Sequence, residues 1–181
     1  RANTFPELVE EMEAQLPGDR PISLVAESFS GPVAVEIMAR QKLDIGASVL
    51  CATFCTSPFL QLVRLAEYLP EFLFDIQVIR KAVINSMASE NYIDASVKRK
   101  VYEIMASEDP KLVKKRLSIL RSIDVTERAR NVLVPILYLR ASRDRIVSYK
   151  LGQRLVDNLP CAEVVEVSGP HMLLQAEPDV C

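Results

Sequence analysis

Short apolar runs alternate with amphipathic stretches along nearly the whole of this chain. The runs are Ile22–Ala26, Ala47–Phe54, Val132–Leu139 and Glu163–Val167, each of strand length. Between them, apolar residues recur at helical spacing. Phe5, Leu8, Val9, Met12 and Leu16 mark one helix, which Pro17-Gly18-Asp19 stops. A second begins near Phe29 with Pro32 in its first turn, and a third spans Tyr149–Leu159. Connections of this length suit parallel crossovers rather than hairpins, so the pattern predicts an α/β fold with a mostly parallel sheet. Ile22–Ala26 reads as a buried strand, and Val132–Leu139 as one covered on both faces.

One segment breaks the alternation. From Pro58 to Asp124 the spacing is helical throughout, with Asp94 and Asp109-Pro110 as helix starts. The chain therefore divides into a body, residues 1–57 and 125–181, and a helical insertion, residues 58–124. Twenty-two basic against 24 acidic residues leave a net charge of −2, which disfavours a nucleic-acid or anionic-lipid footprint. No apolar run is long enough to span a bilayer. Cys51, Cys55, Cys161 and Cys181 lack metal-ligand spacing, so no metal is expected, and a reducing, cytoplasmic setting is. The first residue is Arg1 and no secretory leader is visible, which suggests a trimmed or processed product of something longer.

Three residues could carry chemistry. Ser28 sits at a strand-to-helix junction, with small Ala26 and Ser30 two positions to either side, as a sharply turned nucleophile requires. Phe29 follows, and its backbone N–H would face an oxyanion formed beside Ser28. Asp144, in Ser142-Arg143-Asp144-Arg145, comes directly after the third apolar run. His171, the sole histidine, comes after the fourth through Ser168-Gly169-Pro170. Taken singly, Ser28 also reads as a helix cap, Asp144 as a turn residue and His171 as a structural imidazole. Taken together, a serine, an acid and a histidine in that order, each after its own strand, point to nucleophilic catalysis.

On these stretches the sequence resembles the α/β-hydrolase family. The resemblance rests on Val25-Ala26-Glu27-Ser28-Phe29-Ser30-Gly31-Pro32, on Val134-Pro135-Ile136-Leu137-Tyr138 leading to Asp144, and on Ser168-Gly169-Pro170-His171. It spans almost the whole chain. It implies Ser28 as nucleophile, Asp144 as acid, His171 as general base and the Phe29 N–H as one oxyanion donor. It also implies no cofactor, a small-molecule acyl ester as substrate, and a cap formed by the insertion. Thioesters and lactones are alternative substrates. A triad-bearing binding module with little turnover is an alternative from another class, and a domain in which the three residues never meet is a third. A serine at this position disfavours the aspartate-dependent dehalogenase and epoxide hydrolase branches.

The resemblance also has gaps. The strands upstream of Ile22, and the His-Gly loop that supplies the second oxyanion donor, have no counterpart, which suggests that residues 1–181 are most of a longer hydrolase. The apolar residues Phe54, Phe59, Leu60, Phe72 and Phe74 could line an acyl pocket, although packing is the commoner fate of such residues. Glu27, next to the candidate nucleophile, reads as a supporting hydrogen-bond or surface residue rather than a second acid.

Overall fold

The computed structural model describes residues 2–58, 68, 77–88 and 93–181. Its body is a four-stranded, wholly parallel sheet. β1 (Ile22–Glu27), β2 (Ile45–Cys51), β3 (Ile136–Ala141) and β4 (Ala162–Val167) lie side by side in chain order. All four therefore present their C-terminal ends at the same edge, where Ser28, Asp144 and His171 leave the sheet.

Local chemistry explains the helices. Thr4 accepts the Glu7 N–H at the start of α1 (Phe5–Glu13), which has Pro6 in its first turn. α2 (Ser30–Arg40) follows β1 directly. In the insertion lie α3 (Gln77–Ala88), α4 (Ala95–Ser107) and α5 (Pro110–Arg121). Asp94 accepts the Ser96 N–H at 2.6 Å and Asp109 the Lys111 N–H at 2.9 Å, so both caps form where the sequence predicts them. A short α6 (Thr126–Ala129) leads back to the body, and α7 (Tyr149–Val156) and α8 (Leu173–Ala176) complete it. Phe59, Leu60, Phe72 and Phe74 lie outside the described residues.

Alternation along the strands sorts the side chains into two clusters. Ala26, Leu50, Ile136 and Tyr138 pack with Val9, Val35, Ile37 and Leu155 from α1, α2 and α7. Each fully buried Val, Leu or Ile here contributes about 1.5–3 kcal/mol. Among the described residues, the opposite face is filled near the functional edge, where Cys51, Leu139, Ala141 and Val167 meet Leu173 of α8. Lower on that face Val25 is 66% exposed, and a groove of about 390 Å³ runs past Val25, Val49, Leu137 and Glu163. Among the described residues, β1 is therefore not buried throughout and β3 is not covered on both faces along its length, contrary to the two sequence expectations.

Several boundaries differ for identifiable reasons. β2 stops at Cys51 rather than Phe54 because Ala52 turns left-handed (φ 44°). Phe54, 1% exposed, then packs in the main core. β3 starts at Ile136, after Pro135, whose missing N–H cannot join a ladder. It continues through Arg140, which stacks on Tyr149 at 4.3 Å. α1 and α7 end at Glu13 and Val156, short of Leu16 and Leu159, which close turns by bonding three residues back instead. The insertion leaves and rejoins the body through a paired neck. Thr56 bridges Asp124 antiparallel, and the Val125 N–H donates to the Cys55 carbonyl at 2.9 Å.

Candidate active site

Ser28 is held at φ 56°, in the left-handed region, where an L-residue costs about 1–2 kcal/mol. Three hydrogen bonds offset that strain. The Ser28 N–H donates to the Cys51 carbonyl at 2.9 Å, and the Ser28 carbonyl accepts from the Gly31 N–H at 3.1 Å and from Thr53 Oγ1 at 2.6 Å. The turn throws the Ser28 side chain off the end of β1. It does not cap α2, whose N-cap residue is Phe29 and which has no side-chain cap bond. The Ser28 hydroxyl instead lies 2.7 Å from Nε2 of His171, 143 residues away.

His171 is 1% exposed and uses both ring nitrogens. Its Nδ1 is 2.8 Å from Oδ2 of Asp144. A carboxylate only accepts, so the proton sits on Nδ1 and Nε2 is free to receive one from Ser28. Asp144 is fixed in turn, because its Oδ1 accepts the N–H groups of Ile146 and Val147 at 2.7 and 2.8 Å. The structure thus joins the three residues singled out in the sequence into one continuous hydrogen-bonded line. Phe29, the fourth, follows Ser28 at the head of α2.

The sequence matches the family described as serine aminopeptidase, S33, over residues 3–175. The chain belongs to this family of α/β-hydrolases. Solved structures of similar fold include an enol-lactonase from Burkholderia xenovorans, with a TM-score of 0.83 and 17% identity, covering 98% of this chain and 69% of that one. An esterase from Exiguobacterium antarcticum superimposes with a TM-score of 0.83 at 10% identity, over 99% of this chain and 71% of its own. The 2-hydroxy-6-oxo-6-phenylhexa-2,4-dienoate hydrolase from a Rhodococcus species gives a TM-score of 0.78 at 14% identity, over 99% and 69%. No curated protein matches by sequence.

Two supports of this α/β-hydrolase site escape a reading of the sequence. Thr53, fully buried, reaches across 25 positions to the Ser28 carbonyl. Its own carbonyl accepts the Tyr138 hydroxyl at 2.8 Å. Gly31 is the one visible signal for this packing, since a Cβ there would collide with Thr53 Oγ1. Beneath the serine turn lies Cys51, whose thiol burial, and then the nearby Glu27 carboxylate, push far above the ordinary thiol range. All four cysteines are free. Beside Phe29, between α1 and α5, opens a mainly apolar cleft of about 510 Å³. Leu8, Val113, Leu117 and Leu120 line it, and Arg116 and Glu108 stand at it as an ion pair.

Proposed function

We propose that this hydrolase is a serine esterase that works through an acyl-enzyme. The observation that carries the reading is the line from Ser28 Oγ to His171 Nε2 to Asp144, at 2.7 and 2.8 Å. His171 takes the Ser28 proton as the serine oxygen attacks the acyl carbonyl. Asp144 holds the imidazole in one tautomer and stabilises its charged form. The carbonyl oxygen becomes an oxyanion, to which the Phe29 N–H donates at the head of α2. The tetrahedral centre then collapses, and His171 returns its proton to the departing alcohol. Water, deprotonated by the same imidazole, releases the acid from Ser28.

Esters come first because the relay needs only a carbonyl with an oxygen leaving group. A lactone is a cyclic ester, and the same steps would open one. The insertion, residues 58–124, acts as a cap that narrows access and excludes water. Ser28→Ala should lower kcat on p-nitrophenyl esters by about 10⁴-fold or more while the melting temperature holds. Ester turnover unchanged by the substitution would remove Ser28 from the chemistry. A panel of linear esters, thioesters and lactones then ranks the substrate classes.

A further inference from the structure

Glu27 stands immediately before Ser28, but its carboxylate is engaged by the segment that follows His171. Oε1 accepts the Leu174 N–H at 3.1 Å, across 147 residues, and Oε2 accepts the Gln175 side-chain amide at 2.8 Å. The Cys51 thiol is a longer, third donor at 3.8 Å. Leu174 and Gln175 lie in α8, which starts two residues after His171 and has no side-chain cap of its own. The opening N–H groups of a helix need an acceptor; here one is supplied from β1. The main chain of Glu27 is equally constrained, since its N–H donates to Ser30 Oγ at 2.9 Å and its carbonyl accepts the Ser30 hydroxyl at 2.8 Å.

We infer that Glu27 is a positioning residue, one that keeps the His171 imidazole in register with the Ser28 hydroxyl. The inference rests on the serine-hydrolase reading above for its catalytic consequence. One rigid residue is bonded to the turn that carries the nucleophile and to the helix that follows the base. The rest of the loop is held from elsewhere: the Arg143 N–H donates to the Gly169 carbonyl, and the Met172 N–H to the Met87 carbonyl of α3. Glu27 alone among these ties the base to the serine turn itself. Its work is done by hydrogen-bond geometry, so a neutral acceptor of the same shape can replace it. In Glu27→Gln the amide oxygen still accepts from Leu174, and Gln175 can turn its own amide to meet the new N–H₂ group.

The test compares Glu27→Ala and Glu27→Gln with the unsubstituted protein by ester kinetics and by the rate of fluorophosphonate labelling. Misplacing the base should lower kcat and the labelling rate of Glu27→Ala by about 10²-fold, with KM within about two-fold. Glu27→Gln should stay within about five-fold of the starting protein. Equal losses in Glu27→Ala and Glu27→Gln would mean that charge rather than geometry matters, and would overturn the inference. So would an unchanged rate in Glu27→Ala, or a loss confined to KM. If Glu27→Ala does not fold, Gln175→Leu removes the outer bond from an exposed side chain. A several-fold fall in kcat at constant KM then supports the inference, and no fall overturns it. If the unsubstituted protein does not label at all, the nucleophile reading fails separately. The ¹⁵N shift of the His171 ring then decides the positioning claim, which falls if Glu27→Ala leaves that shift in place.

Discussion

Ser28 combines a strained main chain with a well-bonded one, and the bonds show where the strain is held. Thr53→Val keeps the shape of the side chain but leaves the Ser28 carbonyl without its 2.6 Å partner. The Gly31 N–H still reaches that carbonyl, so the loss is that of one ordinary bond, about 0.5–1.5 kcal/mol, and we expect a lower melting temperature and a kcat reduced more than KM is changed. Thr53→Ser, which retains the hydroxyl, should recover most of both. The cysteines give a second residue-scale prediction. Alkylation needs the thiolate, and burial pushes the Cys51 thiol upward. In the folded protein at pH 8, peptide mapping should find iodoacetamide on exposed Cys161 and none on Cys51. Modification of Cys51 at the rate of Cys161 would contradict its placement. At this scale the sequence showed Ser28, Asp144 and His171 because each follows its own strand. It marked Thr53 only through Gly31, which leaves room for it, and hid the partners of Glu27, since nothing local marks a contact made across 147 positions.

Elements were legible where burial and capping act locally. Asp94, Asp109 and Pro110 start helices because their effects reach only two or three residues. Strand ends were less legible, since they depend on turns that composition does not reveal. The apolar run through Phe54 continues past the end of β2, because Ala52 turns away while its neighbours remain buried. α8 was missed altogether, being four residues long and started by a carboxylate from β1. The end of α2 offers a test. Gln41 there adopts φ 54°, a left-handed cap position that glycine fills without strain. Against the extra chain entropy that glycine brings, Gln41→Gly should stabilise the protein by about 0.5–1 kcal/mol. Thermal denaturation reads this as a rise of about 1–3 °C; a fall would show that the Gln41 side chain contributes more than its main chain costs.

Across the whole molecule, the parallel order of the sheet is what gathers residues 28, 144 and 171 at one edge. The insertion reaches the same place, because Ile84 and Ile93 pack with Met172 and Ala176 beside His171. The two faces of the sheet are unequal, with Val25 on the more open one. The central claim, that three distant side chains act as a single proton relay, is tested most directly by locating a covalent adduct. Mass spectrometry after brief exposure to a fluorophosphonate should find the label on Ser28, and His171→Ala should nearly abolish it. A label on another residue, or one on Ser28 that forms as fast without the imidazole, would contradict the mechanism.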